Sequence, residues 1–447
     1  MSLMISVSGI RGIFGTDLTP ENLTQFTAAF GKWSGSGKIV VGRDTRVTGQ
    51  ICEDIVCATL QSVGCDVVKA GVAPTPTVAM GVLKHKADGA IIISASHNPE
   101  EWNALKLLNS KSEFLDAQQG NEVIEISKNQ SYSYKKFDEI GSVTEDDQLL
   151  DYHIQKILDL PYIDRDLIAS KDFSVAIDPV NGTGAVSLPK LLRALGVNTI
   201  EAINDVPTGL FAHVAEPLPE HLEDICELVK EKRCDLGIVT DPDADRLALV
   251  TDKGNLFGEE YTQAATFDFL LDKKAGACAT NLSSSRVAED VAKKYGQECH
   301  RSKVGEINVV KKMQQVDAVI GGEGNGGVIN PDLHYGRDAL VGTAMVLQLL
   351  AERDISSDDY RNTLPDYYMR KDKMQLADVD GDALLEKAKS LYQEYNPDTT
   401  DGVKIDFEDG WVHLRKSNTE PIIRIYSEGT SPDKAKELAQ AVVNKIQ

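Results

Sequence analysis

The chain repeatedly drives a short apolar run into a small polar loop. Lys38 to Gly42 (KIVVG) opens onto Arg43-Asp44-Thr45-Arg46, and Ala90 to Ile93, with three isoleucines in a row, opens onto Ser94-Ala95-Ser96-His97-Asn98-Pro99. Phe173 to Ile177 leads to Asp178-Pro179-Val180-Asn181-Gly182-Thr183-Gly184, and Cys234 to Val239 leads to Thr240-Asp241-Pro242-Asp243-Ala244-Asp245-Arg246. Ala277 to Thr280 runs into a serine-rich turn, and Asp317 to Ile320 into Gly321-Gly322-Glu323-Gly324-Asn325-Gly326-Gly327. Short β-branched runs without polar alternation suit strands buried on both faces. Helical stretches lie between them; Thr19-Pro20-Glu21, for example, reads as the N-cap and first turn of a helix reaching toward Trp33. The pattern implies three α/β units, each with a buried strand delivering a polar loop, the place where open α/β sheets put their ligands.

The last region follows another rule. Val403, Ile405 and Phe407 alternate, Asp409-Gly410 makes a hairpin turn, and Trp411 to Leu414 returns as a strand. Ser431-Pro432 caps a final helix whose apolar stripe is Ala435, Leu438, Ala439, Val442, Val443 and Ile446. This is an α+β unit, joined through a polar segment at residues 354–361.

At 447 residues the chain is too long for one core. A net charge of -22 argues against nucleic acid or an anionic membrane as partner, because the bulk surface repels both. An anionic substrate then needs a local basic pocket. The seven cysteines are scattered and odd in number, without metal-type pairing, which fits buried thiols in a reducing cytosol. No apolar run is long enough to span a membrane, and the N-terminus lacks a signal pattern. The expectation is a cytoplasmic protein.

Four stretches can carry chemistry. Ser96 beside His97 and Asn98, with Lys106 downstream, is a candidate nucleophile or phosphoryl carrier, although the same residues also make an ordinary Ser/Asn/Pro turn. Asp241, Asp243 and Asp245 put three carboxylates at alternate positions after a buried strand; they repel unless a cation sits among them, and hard oxygen ligands suit Mg²⁺ or Ca²⁺, not zinc. Arg246 stands where an EF-hand needs glycine, so that motif is excluded. The loop from Glu323 to Gly327 offers bare amides, but the acid opposes phosphate, so it suits sugar hydroxyls or a plain turn. Arg415-Lys416-Ser417-Asn418-Thr419-Glu420-Pro421, with Arg424 beyond, gathers what a dianionic phosphate wants. His334 reads as a surface residue and Pro74-Thr75-Pro76 as an architectural turn.

Taken in order, Ser96-His97-Asn98-Pro99 with Lys106, the three-aspartate loop with Arg246, Gly322-Glu323, and Arg415 to Pro421 resemble the α-D-phosphohexomutase family over nearly the whole chain. The resemblance implies three related α/β domains with mixed sheets plus a smaller C-terminal α+β domain around a central cleft, at residues 1–147, 148–250, 251–355 and 356–447. It implies a phosphoryl group on Ser96 and Mg²⁺ held by Ser96, Asp241, Asp243 and Asp245. It places Arg11, His97, Lys106 and Arg246 in catalysis, Glu323, Asn325 and Lys303 on the sugar, and Arg415, Ser417, Asn418, Thr419 and Arg424 on the distal phosphate.

The implied reaction moves a phosphoryl group between O6 and O1 of a hexose phosphate through a hexose 1,6-bisphosphate, which also serves as activator. Its partner is a small phosphosugar, with no nucleic acid or membrane, and the chain acts as a monomer or homodimer. Departures bear on the sugar. Asn103-Ala104 stands where relatives have Asn-Gly, Glu306 where some have histidine, Asn325 for serine and Asn418 for glycine. The Glu-Gly-Asn-Gly-Gly form is similar to a glucosamine-type branch, which implies a phosphoglucosamine mutase. The alternatives are a phosphomannomutase/phosphoglucomutase and a non-catalytic phosphosugar-binding protein.

Overall fold

The computed structural model describes residues 3–6, 9–376, 380–417 and 422–446. The chain divides into two compact units, Met1–Thr262 with Asn325–Arg361 and Gln263–Gly324 with Asn362–Gln447.

Among the described residues, two sheets lie wholly within the first unit. The larger contains β1 (Met4–Ser6), β2 (Gly9–Ile13), β3 (Lys38–Arg43), β4 (Asp66–Val72), β5 (Gly89–Ile93), β6 (Trp102–Asn109) and β7 (Val143–Glu145), in the order β1-β2-β6-β5-β3-β4-β7. β5, β3, β4 and β7 are parallel, while β6 turns back antiparallel on β5 and on β2. Every residue of β5 is buried, as the isoleucine run requires of a strand with a neighbour on each side and a layer on each face. The second sheet contains β8 (Ser174–Asp178), β9 (Thr199–Ala202), β10 (Leu236–Thr240) and β11 (Leu247–Thr251), ordered β11-β10-β8-β9 and parallel except for β11. So Ser96 and the three aspartates do sit at the carboxyl ends of buried parallel strands. Each of their loops, however, leads into an antiparallel strand and not into a helix.

In the second unit, β12 (Cys278–Asn281), β13 (Cys299–Ser302) and β14 (Ile320–Glu323) are parallel with β12 central, and the helices Val287–Lys294 and Glu306–Val316 supply the crossovers. The C-terminal sheet is wholly antiparallel: Tyr368–Gln375 pairs with Ile422–Gly429, then Gly410–Lys416, then Val403–Phe407. The helix Pro432–Ile446 buries Ala435, Leu438, Ala439, Val442 and Ile446, with Val443 partly covered, against this sheet. Each such leucine or isoleucine contributes about 1.5–3 kcal/mol by leaving water.

The polar segment at 354–361 is partly buried and hydrogen-bonded. Tyr360 and Ser357 are buried, Tyr360 stacks on Phe257, and Asp358 accepts from Thr251 Oγ1 at 2.8 Å and Asn255 Nδ2 at 3.1 Å. Its polar residues look outward in sequence only because their partners lie about a hundred residues earlier.

Candidate active site

Ser96 follows β5 in the left-handed region at φ 50°, an uncommon conformation for a residue with a Cβ. The loop is held there by Arg46, which is 1% exposed. Its Nη2 donates to the carbonyls of Ser96 at 2.6 Å and Asn98 at 2.7 Å, Nη1 to those of Trp102 at 3.0 Å and of Pro99, and Nε to Asp44 Oδ2 at 3.0 Å. All five guanidinium N–H groups therefore find acceptors. Burial pushes the Asp44 carboxyl up, and Arg46 pulls it back. Neither Asp44 nor Arg46 was assigned a role from sequence; the pointer was a second arginine in a loop directly after a buried strand.

The Ser96 hydroxyl donates to Asp241 Oδ2 at 2.7 Å. His97, which the resemblance places in catalysis, lies beside it. His97 Nδ1 is 3.4 Å from Ser96 Oγ but 3.0 Å from Arg246 Nη2, from which it accepts. Burial, then Arg246 and Arg11, bring the His97 pKa down to about 3, so the ring is neutral. Arg246 is also paired with Glu216 at 3.0 Å, and Arg11 Nη1 donates to Asn98 Oδ1 at 2.7 Å.

The loop between β10 and β11 carries the aspartates, all of them fully buried. Its backbone is clamped from three sides: Thr183 N donates to Pro242 O at 2.8 Å, Thr75 N to Asp243 O at 2.9 Å, and Ala339 N to Ala244 O at 3.3 Å. Asp241 Oδ1 accepts from the backbone N–H of Asp245 and Arg246. Asp243 Oδ2 accepts from Lys106 Nζ at 2.5 Å and from Thr75 Oγ1. Asp245 Oδ2 faces Arg337 Nη2 at 2.8 Å and Lys106 Nζ at 3.5 Å. Asp243 Oδ1 and Asp245 Oδ1 are buried without a hydrogen-bond partner. Burial, then Asp245 and Asp243, raise the Asp241 carboxyl well above the ordinary range. Burial opposes ionisation of Asp243 too, yet Lys106 holds that carboxyl well below it.

Each aspartate offers an oxygen within 4.8 Å of the others. Two buried carboxylate oxygens left without donors are costly unless something positive meets them. The donor set is all oxygen. These residues fit a hard divalent cation of the Mg²⁺ class.

The Pro74-Thr75-Pro76 turn is architectural, and what it supports is this loop. His334 corrects the sequence reading: it is 4% exposed, with Nε2 3.3 Å from Asp338 Oδ2. Asn325, in the first unit, turns its Oδ1 onto Gly327 N at 3.2 Å.

In the second unit Glu323 is 4% exposed, and its Oε1 accepts from Asn281 Nδ2 at 3.0 Å and Gly305 N at 3.2 Å. Asn281 was missed, hidden in a serine-rich turn. Lys303 is exposed on the segment just before Gly305. Arg415 lies 3.7 Å from Asp401 and opposite Arg424 in the antiparallel register, with Lys373 opposite Arg424 on the next strand. Directly paired residues share a face. That puts three cations in one row, of which sequence reading named two. Ser417 N donates to Ile422 O, and Asn418 and Thr419 lie outside the described residues.

Four family descriptions match the chain in order: phosphoglucomutase/phosphomannomutase alpha/beta/alpha domain I over residues 3–133, domain II over 151–254, domain III over 260–368, and the C-terminal domain over 370–445. The chain is 36% identical over 458 residues to a phosphoglucomutase/phosphomannomutase of Thermococcus kodakarensis, covering 100% of this chain and 99% of that protein. It is 34% identical over 450 residues to a probable phosphoglucosamine mutase of Methanopyrus kandleri, covering 100% and 98%. A solved structure of a phosphoglucomutase/phosphomannomutase family protein from Burkholderia thailandensis shares the fold, with a TM-score of 0.86 at 24% identity over 99% of this chain and 97% of that one.

Proposed function

The chain belongs to the phosphoglucomutase/phosphomannomutase family and is a phosphohexomutase, an isomerase; from that premise we propose that it interconverts glucosamine 6-phosphate and glucosamine 1-phosphate. The observation that carries the chemistry is the Ser96 hydroxyl, buried at the end of β5 and 2.7 Å from a carboxylate of the three-aspartate loop.

Ser96 Oγ is the phosphoryl carrier. In the first transfer its P–O bond breaks as a P–O bond forms to the free O1 of the sugar, and the proton of that hydroxyl ends on Ser96 Oγ. The product is a hexose 1,6-bisphosphate. It turns over and returns the other phosphoryl group to Ser96 by the reverse exchange, and added bisphosphate primes the enzyme by the same route. Asp241, Asp243 and Asp245 would hold Mg²⁺, which when bound would supply Lewis-acid polarisation of the phosphoryl oxygens. Phosphoryl transfer otherwise needs positioning and charge neutralisation more than covalent help. Lys106, Arg246 and Arg11 supply that charge beside Ser96, and neutral His97 orients Arg246. Glu323, Asn325 and Lys303 read the sugar, while Arg415, Ser417, Asn418, Thr419 and Arg424 hold the phosphate that is not reacting. Glucosamine is favoured by the Glu323-to-Gly327 sequence form and by the kinship with a probable phosphoglucosamine mutase. A reducing cytoplasm fits seven cysteines without a disulfide.

Assays with the 6-phosphates of glucosamine, mannose and glucose in parallel, each primed with bisphosphate, test the substrate. The highest kcat/KM is expected for glucosamine; a higher value for either other sugar overturns that assignment. Peptide mapping by mass should find one phosphate on Ser96, and phosphate on Ser94 in its place would remove the carrier.

A further inference from the structure

Arg337 is 11% exposed, and it reaches a carboxylate that the sequence pattern already assigned to a metal. Its Nη2 lies 2.8 Å from Asp245 Oδ2, leaving Oδ1 of the same carboxylate buried without a donor. The backbone two residues on holds the same loop, because Ala339 N donates to Ala244 O between two of the aspartates. Ala244 itself sits at φ 52°.

The segment is pinned from behind. Asp338 is fully buried; its Oδ1 accepts from Leu340 N at 2.8 Å and Val341 N at 3.2 Å, starting the helix Ala339–Arg353. Its Oδ2 lies 2.9 Å from His153 Nε2 and 3.3 Å from His334 Nε2, and His153 Nδ1 is 3.0 Å from Thr77 Oγ1. These three side chains also come close enough to ligate an ion. Both imidazole nitrogens, however, meet one carboxylate oxygen at hydrogen-bond distance while the other oxygen caps the helix. His334 Nδ1 is buried without a partner, but each imidazole is tied through Nε2 to that one oxygen, and the arrangement reads as an anchor. It ties Thr77, two residues from the Thr75 that holds Asp243, to Asp338, next to the Arg337 that holds Asp245.

Gly327 gives independent support. A Cβ on it would lie 2.2 Å from Arg337 Cδ and 2.9 Å from Cγ, so this glycine is what lets the arginine stem pass.

We propose that Arg337 is a positioning residue: it fixes Asp245 as a one-oxygen ligand, and the His153–Asp338–His334 anchor fixes Arg337. The proposal rests on the reading of the aspartate loop as the metal site. A carboxylate gripped at Oδ2 presents only Oδ1, which suits the small octahedral Mg²⁺; released, it can turn both oxygens to the larger and less demanding Ca²⁺. Removing a positive charge strengthens attraction for any dication, so the informative quantity is the ratio of the two affinities.

The test is calorimetric titration of purified protein with Mg²⁺ alone and with Ca²⁺ alone, together with kcat and KM in Mg²⁺. In Arg337→Met the ratio of Mg²⁺ to Ca²⁺ affinity should fall about tenfold and kcat by a similar factor, with the sugar-phosphate KM little changed, in the range usual for residues that orient metal ligands. Arg337→Lys should recover part of both. Gly327→Ala, which keeps every ligand and the arginine but displaces its stem, should shift the ratio in the same direction. A wild-type ratio in folded Arg337→Met overturns the proposal whatever happens to kcat. Asp245→Asn separates the two readings: if it binds Mg²⁺ as the wild type does, the metal loop itself is misassigned; if it loses Mg²⁺ while Arg337→Met keeps the ratio, only the positioning role falls.

Discussion

The loop after β5 and the edge of the C-terminal sheet both depend on arginine, and they are built to opposite rules. Arg46 is 1% exposed and satisfies all five of its N–H groups on fixed protein acceptors. Arg415 is 25% exposed, pairs with Asp401 only at 3.7 Å, and shares a strand face with Arg424 and the exposed Lys373. A buried charge with every donor used cannot exchange partners, so it holds geometry. Like charges facing each other across strands work against folding, so a row of them suits an anion that comes and goes. On the proposed function, the first kind of site would keep a phosphoserine in line and the second would accept substrate, bisphosphate and product in turn.

The sharpest way to break this contrast is Arg46→Met. It leaves Asp44 buried without its cation and four loop carbonyls without a donor. Loss of one partner from a buried ion pair costs about 3–5 kcal/mol, and each orphaned carbonyl adds to that. Denaturant unfolding should show the first transition at markedly lower denaturant, and Ser96 should no longer take phosphate from added bisphosphate. Arg46→Lys should not rescue, because one ammonium cannot serve carbonyls that a planar fork reaches from two sides. Wild-type stability in Arg46→Met would mean the loop holds itself.

How much of this could be read from sequence follows from how far apart the partners lie. Ser96, Lys106 and the three aspartates were legible because their chemistry is compressed into short stretches after apolar runs. Thr75, Asn281, Arg337 and Arg46 were not, since each earns its place only when a loop from elsewhere folds against it. His334 was taken for a surface residue because burial inside a polar cluster leaves no apolar period around it. Gly327 reads in the sequence as one of several bare amides, whereas its lack of a Cβ makes room for Arg337. The resemblance implies mixed sheets, but that β6 and β11 are the strands that return antiparallel cannot be read from their residues, for a related reason: a buried strand looks the same whichever way its neighbour runs.

A smaller effect is expected from Arg415→Ala, and it sharpens the contrast. The substitution removes a charge-assisted, bidentate-capable grip worth about 1.5–3 kcal/mol to a bound phosphate, with little effect on the fold because the side chain is partly solvated. Substrate affinity should fall by that amount and priming of Ser96 should slow. Mg²⁺ affinity should stay, as the aspartates belong to the other unit. Unchanged sugar-phosphate affinity would reduce the C-terminal edge to a structural turn.

The smallest effect is the most diagnostic of a row as opposed to a single contact. Lys373 extends from an exposed strand position opposite Arg424, which is itself opposite Arg415. If the three act as a field, Lys373→Ala should weaken sugar-phosphate binding by less than about 1 kcal/mol, as solvated charges do. The loss should grow at low ionic strength and fade above a few hundred millimolar salt, where the screening length drops to a few ångströms. Stability should be unchanged or slightly raised, because a like-charge neighbour has gone. Arg415→Ala should keep most of its loss at high salt, since direct hydrogen bonds are screened less. Measuring both variants at low and high salt separates the two. If Lys373→Ala costs as much as Arg415→Ala and keeps its cost in salt, Lys373 touches the phosphate directly and the edge is a built pocket; if it costs nothing at low salt, the row is an accident of register and Arg415 works without it.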